Sequence, residues 1–479
     1  MTHWIPLSVV AGYVAMLFAV TAWARRLTAR GGGGLVGYLL AGRNLPTGVA
    51  AALLAGLAVG GASTIGVAEQ AYAVGISAGW YNAAWALGAI VMGLTVAGRY
   101  RRLEITTLPE LLERCYGVPA RVIGVVGQLV LQVVITSLQY VAGGAILSSL
   151  MPGVFSFRSG MAVTALVFVG ITLIGGFWAA GLTNVINVLF IYGGVVLAAV
   201  LTVGRLGGAG ALAAQLPPAH PGFDLIAVGP GLIAAWFLVM VTTTHSTQSV
   251  IQISFAAKDA RSASRSFLLG GLIIAPVGFI SALLGMAAAV QYPGIVPAEA
   301  LPKVVLALPP FAAGLILAGL WAADVSTASA LLVGSATLVS HDIIKRFFAP
   351  ELSPAREQGL SRLTVFLLSV ATFLLALTVS GILKMLLIGL TLTTAYTLIV
   401  LMTLFWPAAC RRGSAAWTLV ATMAALVLWL LTPLRWRFFP HPIYFTWVVS
   451  LLTFGGVALW DRRPIPPAHP ASAGSRISS

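Results

Sequence analysis

Apolar segments long enough to cross a lipid bilayer recur along almost the whole of this chain. About thirteen of them can be marked, and the connections between them are short. Only 8% of the 479 residues are charged, against roughly 25% in soluble domains. Within lipid the backbone must satisfy its own hydrogen bonds, and α-helices do so. The sequence therefore predicts an all-α polytopic membrane protein, embedded in the bilayer, with no soluble domain.

The net charge of +15 raises the question of a nucleic-acid partner. With the N-terminus placed outside, about 21 of the 27 Lys and Arg residues fall in cytoplasmic connections. That distribution is typical of membrane topology, and no nucleic-acid partner is expected. We predict a bacterial protein of the inner (plasma) membrane, with its N-terminus outside and its C-terminus in the cytoplasm.

Two of the apolar segments are interrupted near mid-depth. The first interruption, Gly60–Gly66, contains three glycines and two hydroxyl side chains, and each glycine costs a helix about 1 kcal/mol relative to alanine. The second interruption, Thr242–Gln248, consists of seven polar residues in succession. Irregular backbone at this depth is tolerated where it lines a cavity. Two interrupted helices in corresponding positions are typical of secondary transporters built from inverted repeats.

The pattern divides the chain into five parts. A leading transmembrane helix (1–30) precedes a first five-helix repeat (40–206) and a second, inverted five-helix repeat (228–410). Two trailing transmembrane helices (411–461) and a disordered cytoplasmic tail (462–479) complete the chain. The functional unit is expected to be a monomer.

Asp324 is one of only two acidic residues that fall within the apolar segments. A carboxylate at the bilayer centre costs about 2.5–3.5 kcal/mol, so it usually faces a cavity, a partner or an ion. On a helix, Asp324 and Thr327 share a face, and oxygen atoms of this kind suit a hard cation. The alternative is a stretch of small residues for close helix packing, with hydroxyls bonded to their own helix.

Other polar groups allow two interpretations each. His245 lies among hydroxyl residues, where substrate contact or proton transfer competes with simple hydrogen bonding. Asn82 lies beside Trp80 and Tyr81, which are either interfacial aromatics or a lid over a substrate. Asn184 either bridges helices or coordinates an ion.

At these residues the chain resembles the sodium/solute symporter family, whose relatives carry proline, sugars, pantothenate, sialic acid and monocarboxylates. The resemblance runs from Tyr38 to about Arg412 and rests on several short motifs. Each motif alone is weak evidence for the family, but all of them in the same order along the chain are strong evidence. These are Leu40–Pro46, Ile65–Gly66 with Ala71–Gly75, Thr107–Glu110 with Arg114–Gly117, Gly175–Trp178, Gln252 with Ala256–Asp259, and Ser326–Thr327 with His341–Ile343.

The resemblance implies a leucine-transporter-type fold of two inverted five-helix repeats, with a sodium site between the first and eighth core helices. Na⁺, the co-transported ion, would be held by the carbonyls of Gly56, Val59 and Ala323 and the hydroxyls of Ser326 and Thr327, with Asp324 nearby. No organic cofactor is expected. The substrate would lie beside the ion, against both interruptions. The substrate-binding residues implied are Gly60, Gly61, Ala62, Ser63, Thr64, Asn82, Thr243, Thr244, His245, Gln248 and Thr394.

The chain departs from the family pattern at two helices. Many relatives carry an aspartate where Asn184 stands, on a secondary cation path, and an apolar residue where Asp324 stands. We hypothesise that the negative charge has moved from one helix to the other while staying within reach of the cation. Ala58, Ala62 and Asn82 replace polar residues of sugar-transporting relatives, which disfavours a sugar.

The sequence thus predicts a secondary active transporter rather than an enzyme: sodium-coupled symport of a small polar metabolite by alternating access. A small organic carboxylate or an amino acid is the favoured substrate. The rival is proton coupling through Asp324. A membrane-embedded enzyme would need clustered acid, base or metal residues, which the sequence lacks, and a channel would need repeated charged rings.

Overall fold

Every regular element in the described part of the chain is helical. The computed structural model describes residues 4–30, 37, 39–378, 382–433 and 439–466, except for the side chains of 25–30, 174–176, 322, 326, 354, 355, 357, 358 and 382–385. The α-helices are α1 (Trp4–Arg30), α2 (Thr47–Ala58), α3 (Val67–Val74), α4 (Trp80–Thr95), α5 (Ala97–Arg102), α6 (Leu108–Tyr116), α7 (Val118–Leu150), α8 (Phe157–Arg205), α9 (Ala209–Gln215), α10 (Pro230–Ser246), α11 (Gln248–Ala256), α12 (Ala260–Ile274), α13 (Val277–Gln291), α14 (Ala300–Leu306), α15 (Pro310–Thr337), α16 (Pro354–Ala376), α17 (Ile382–Leu390), α18 (Thr393–Phe405), α19 (Ser414–Leu431) and α20 (Pro442–Trp460).

The predicted count of thirteen membrane-spanning helices is not confirmed. Within the described residues, ten helical segments are long and apolar enough to cross a bilayer, with shorter apolar helices at Thr47–Ala58 and Phe157–Leu173. Breaks divide some of the predicted spans, and the helical backbone of α8 runs without a break through two predicted spans. Where those two spans join, Trp178–Leu182 includes two alanines and a leucine, which favour helix.

Both predicted interruptions are present in the backbone. Helix α2 ends at Ala58, Val59 leaves the helical region at φ −96° and ψ 66°, and a π-helical turn, Ala62–Gly66, follows. Helix α10 ends at Ser246, and α11 begins at Gln248 after an extended Thr247. A third break, which the sequence analysis did not predict, separates α17 from α18 at Thr391 and Leu392.

Helix α15 occupies the centre of the molecule. It packs against α1, α2, α7, α8 and α16. The membrane-length apolar stretch of this helix is buried entirely by other parts of the protein. The helix that carries Asp324 and Thr327 is therefore surrounded by other helices, and its polar groups can meet only protein or an internal cavity.

A buried cluster of charges joins α6, α7 and the π-helical segment Leu338–Phe348 on the predicted cytoplasmic side. Asp342, fully buried, accepts hydrogen bonds from Arg121 at 2.6 Å and from Thr107 at 2.9 Å. Arg121 also pairs with Glu113, which accepts from Arg346 at 2.6 Å. The Arg346 guanidinium holds the pKa of Glu113 below its usual range, so this contribution to stability is present at pH 7 and is lost in acid.

We expect Thr107→Val to lower the free energy of unfolding by about 1–2 kcal/mol. The hydroxyl of Thr107 donates to Asp342 and also accepts the backbone N–H of Glu110 as the N-cap of α6. Thr106→Val is the matched control, because Thr106 is half-buried next to it. Thermal unfolding of the purified protein measures both variants, and equal effects would contradict the assignment of the cap.

The predicted division of the chain into repeats stays a prediction, and each part contains several of the helices. The first repeat, 40–206, contains α2–α8, the second repeat, 228–410, contains α10–α18, and the trailing segment, 411–461, contains α19 and α20. The inverted symmetry itself stays a prediction. The predicted tail, 462–479, lies outside the described residues from position 467 onward.

Candidate functional site

The first interruption brings two helices into direct polar contact. The Thr327 hydroxyl on α15 donates to the backbone carbonyl of Gly56 at 2.9 Å and lies 3.3 Å from that of Leu57. These carbonyls belong to the last turn of α2, where carbonyl oxygens have no N–H donor within the helix. The break therefore presents backbone oxygen atoms to a hydroxyl on the opposite helix.

Of the predicted cation ligands, Gly56 and Thr327 meet directly. Val59, immediately after the end of α2, and Ala323, one turn before Thr327 on α15, are both buried. The side chain of Ser326 lies outside the described residues. Hard cations such as Ca²⁺ coordinate oxygen at about 2.3–2.6 Å, so two oxygens 2.9 Å apart are compatible with one coordination shell. The oxygen-only set suits a hard cation.

Asp324 contacts the same interruption at a different level. It is fully buried, and a Cβ built on Gly61 would come within 2.6 Å of its Oδ1 atom. Neither carboxylate oxygen has a hydrogen-bond partner of good geometry among the described residues. Asp324 and Thr327 thus both face the broken helix, as their spacing predicted, but Asp324 lies against Gly61 rather than Gly56. A side chain at position 61 would displace the carboxylate.

A cavity of about 30 Å³ opens beside this contact. That volume holds about two water molecules. Of the predicted substrate-binding residues, Gly60, Ala62 and Thr243 line it, and Thr327 joins them from α15. Five further polar and aromatic residues line it, namely Tyr81, Trp85, Gln139, Thr247 and Ser249. Tyr81 belongs to the aromatic group that the sequence analysis considered as a lid, and Thr247 belongs to the second interruption, whereas Gln139 and Ser249 were not predicted.

Gln139 is the most informative of these additional residues. Its side-chain oxygen accepts the backbone N–H of Gly61 at 3.2 Å, which fixes α7 against the interruption. The signal was present in the sequence, since Gln128, Gln132 and Gln139 are three amides in one apolar segment. All three are buried. Polar side chains inside a membrane helix usually face a cavity or another helix.

Several residues named as substrate contacts lie elsewhere. Thr64, Thr244 and Thr394 donate to carbonyls of their own helices or turns at 3.1, 3.0 and 2.6 Å, and Ser63 bonds the Ala58 carbonyl. Gly61 faces Asp324 and Ala142 rather than the cavity. Asn82 is buried against Gly278 of α13. These residues do not line the cavity in this conformation.

Two further residues of the second interruption make structural hydrogen bonds. The ring nitrogen Nδ1 of His245 lies 2.7 Å from the Val241 carbonyl, and Nε2 lies 3.2 Å from the Thr95 hydroxyl. Gln248 accepts the backbone N–H of Leu108 at 2.9 Å. This arrangement matches the alternative in which His245 is a hydrogen-bonded packing residue.

Asn184 lies against Gly56 in the last turn of α2, before the interruption, whereas Asp324 lies against Gly61 within it. The Asn184 side-chain oxygen occupies the space that a Cβ on Gly56 would need. The same oxygen accepts from Asn187 at 3.3 Å, and Asn187 accepts from the Tyr13 hydroxyl at 2.5 Å. Asn184 is therefore close to the residue whose carbonyl Thr327 contacts, and its place on a secondary cation path stays a prediction.

The described residues contain no group of three or more His, Cys, Asp or Glu side chains placed to hold a metal ion. The oxygen set at the α2–α15 contact is of a different kind, because it consists of carbonyl and hydroxyl oxygens.

Comparison with known proteins identifies the family of the chain. The sequence model of the sodium:solute symporter family matches residues 38–421. The high-affinity proline transporter of Bacillus subtilis is 26% identical over 419 residues, covering 82% of this chain and 86% of that protein. The sodium/glucose cotransporter of Vibrio parahaemolyticus is 25% identical over 507 residues, covering 96% and 92%.

Solved structures show the fold. A Na⁺-coupled sialic acid symporter in a substrate-bound, outward-open state aligns with a TM-score of 0.79 at 18% identity, covering 96% of this chain and 98% of that one. A nucleobase-cation-symport-1 family transporter in a closed conformation aligns with a TM-score of 0.63 at 16% identity, covering 88% and 94%. The leucine-transporter-type fold expected from the sequence is confirmed, and the count of thirteen helices is not.

Proposed function

The chain belongs to the sodium:solute symporter family, and from that premise we propose that it couples Na⁺ entry to uptake of a small organic carboxylate or amino acid. Na⁺ would bind between α2 and α15, and the substrate would bind in the adjacent cavity. The observation that carries this proposal is the 2.9 Å contact between the Thr327 hydroxyl and the Gly56 carbonyl. The ion would tie the central helix to the interrupted one.

The cation and substrate sites would be coupled because they share residues. Thr327 contacts the α2 carbonyls and also lines the cavity, while Gly60 belongs to both the interruption and the cavity wall. An ion that orders this segment would therefore shape the space for the substrate. A membrane potential adds about 2.3 kcal/mol per charge per 100 mV to the Na⁺ gradient.

The cavity lining favours a carboxylate over a sugar. Among the described lining residues none is basic, so an anionic group would rely on hydroxyls and helix ends. Helix α11 begins at the cavity, with Thr247 immediately before its first residue, and the N-terminus of a half-helix attracts negative charge. Ala58 and Ala62 contribute no hydrogen bonds to sugar hydroxyls from their side chains.

The volume of the cavity implies that the substrate enters through a conformational change. About 30 Å³ is too small for an amino acid. The helices around the cavity would separate toward one side of the membrane and then toward the other. Alternating access by relative motion of two helix groups would supply that opening, with the monomer as the functional unit.

Uptake by proteoliposomes tests the proposal. Labelled L-proline is the first substrate to try, because similar proteins include proline transporters of Bacillus subtilis. An inward Na⁺ gradient is expected to drive accumulation, and an inward proton gradient without Na⁺ is not. Accumulation that is independent of Na⁺ would contradict sodium coupling, and a panel of carboxylates, amino acids and sugars would test the substrate class.

Proton coupling through Asp324 remains the second candidate. The observation in its favour is the full burial of a carboxylate without a hydrogen-bond partner of good geometry among the described residues. The buried Asp324 carboxylate could be neutralised by a bound proton instead of by a nearby metal cation. Accumulation driven by a pH gradient alone, and lost in Asp324→Asn, would favour this candidate over sodium coupling.

A further inference from the structure

Helix α7 carries three polar side chains on the face that runs from the buried charge cluster to the central cavity. Arg121 belongs to the charge cluster, and Gln139 bonds the first interruption at Gly61. Gln128 lies between them and is fully buried. Positions 121, 128 and 139 are about two and three helical turns apart, so these side chains share one face of the helix.

Gln128 fastens the second interruption to α7 by two hydrogen bonds. Its Nε2 atom donates to the Ser246 carbonyl at 2.7 Å, and its Oε1 atom accepts the backbone N–H of Gln248 at 3.1 Å. These backbone groups lie where α10 ends and α11 begins, positions at which a helix cannot pair them internally. One side-chain amide therefore replaces hydrogen bonds that the break removes.

The side chain of Gln248 makes a second bridge of the same kind, to the start of α6. Its Oε1 atom accepts the backbone N–H of Leu108 at 2.9 Å, and its Nε2 atom donates to the Thr106 carbonyl at 3.3 Å. Thr107, between these two residues, donates to Asp342 of the charge cluster. Since that cluster also contains a residue of α7, the bonds form a closed ring through α7, the second interruption, α6 and the segment that follows α15.

This ring connects the wall of the central cavity to the predicted cytoplasmic side. Thr247, which lies between the two backbone groups that Gln128 bonds, lines the cavity. We propose that Gln128 and Gln248 form an inner latch, which closes the path from the central cavity to the cytoplasm and opens when the substrate is released. The second half of this statement, release of a substrate, rests on the proposed function.

The chemistry of the ring indicates which of its contacts opens. Hydrogen bonds between an amide and the backbone are exchanged for bonds to water at a small net cost, so the contacts of the two glutamines can break when water enters. The ion pair between Arg121 and Asp342 is buried, and its separation would leave two charges unpaired. The charge cluster therefore holds α6, α7 and the end of α15 together, while the second interruption moves away from them.

Thiol labelling of the full-length protein from each side of the membrane tests the latch. Alanine replaces Cys115 and Cys410, and Ser249→Cys then places one thiol in the wall of the central cavity, at a position that is 2% exposed. A membrane-impermeant methanethiosulfonate reagent is applied to inside-out and to right-side-out vesicles without Na⁺ or substrate. Gln128→Leu and Gln248→Leu are each expected to raise the labelling rate about tenfold, or about 1.4 kcal/mol, from the cytoplasmic side alone.

Gln132→Leu is the matched control, because Gln132 is a buried glutamine one turn along α7 whose amide has no hydrogen-bond partner among the described residues. It is expected to leave the labelling rate unchanged. Gln128→Asn keeps the amide but shortens the side chain, so it cannot span both backbone groups and is expected to raise the cytoplasmic rate even if leucine is not tolerated. General damage to the structure would raise labelling from both sides, so the sidedness separates it from opening of the latch.

Three results would overturn the latch: an unchanged cytoplasmic rate in the variants of Gln128, an equal increase from both sides in all of them, or the same increase in Gln132→Leu. The labelling needs neither Na⁺ nor a substrate, so its outcome is independent of the uptake assays. If uptake is driven by Na⁺ while labelling is unchanged, the proposed function stands and the latch fails. If no solute accumulates while Gln128→Leu opens the cytoplasmic side, the proposed function fails and the inner closure stands.

Discussion

Asp324→Asn is expected to abolish Na⁺-driven accumulation or to weaken Na⁺ binding by about a hundredfold. The substitution keeps the size of the side chain and removes its charge from a fully buried position against Gly61. Opposite charges about 6 Å apart, at an effective dielectric of about 20, attract by about 3 kcal/mol. The Na⁺ concentration for half-maximal uptake measures the effect.

The double variant Asp324→Asn with Asn184→Asp is the sharpest control. Asn184 lies against Gly56 in the last turn of α2, and Asp324 lies against Gly61 in the interruption that follows. If the negative charge has only changed helices, moving it to position 184 is expected to restore Na⁺-dependent uptake in part. A single Asp324→Asn variant with unchanged Na⁺ dependence would show that the aspartate has a structural role.

Glycine and hydroxyl clusters made both interruptions of the helices predictable. Gly60–Gly66 disfavours a regular helix through its local composition, and the structure breaks the helix there. The break between α17 and α18 was missed, because Thr391 and Thr393 bond carbonyls of the preceding turn at 2.6 Å in each case. Threonine hydroxyls that bond nearby backbone carbonyls lower the hydropathy of an apolar segment only slightly, so hydropathy does not reveal the break.

The contact between Gly56 and Thr327 could be expected only through the family resemblance. The spacing of Asp324 and Thr327 placed both side chains on one face of a helix, but it did not predict which residue each would contact. Thr327 and its partner Gly56 are 271 positions apart in the sequence. The cavity walls show the same limit. Gln139 and Trp85 come from helices α7 and α4, and only tertiary packing brings them to the break.

Thr327→Ala is expected to raise the Na⁺ concentration for half-maximal uptake by about thirtyfold, which corresponds to about 2 kcal/mol. The hydroxyl of Thr327 reaches from α15 to the Gly56 carbonyl of α2, at 2.9 Å. Hydrogen bonds and contacts of charged groups are worth about 1.5–3 kcal/mol. Adding Ser326→Ala is expected to increase the loss, since the resemblance implies that both hydroxyls hold the ion.

Thr337→Ala separates a cation ligand from an ordinary buried hydroxyl. Thr337 is on the same helix and equally enclosed, but its hydroxyl donates to the Val333 carbonyl of its own helix at 2.8 Å. It is expected to leave the Na⁺ dependence unchanged. Since Thr327 also lines the cavity, its loss should weaken substrate binding most at low Na⁺ and progressively less as Na⁺ rises. A loss of substrate affinity that Na⁺ does not relieve would mean that Thr327 serves the substrate alone, and the shared ion and substrate site would have to be abandoned.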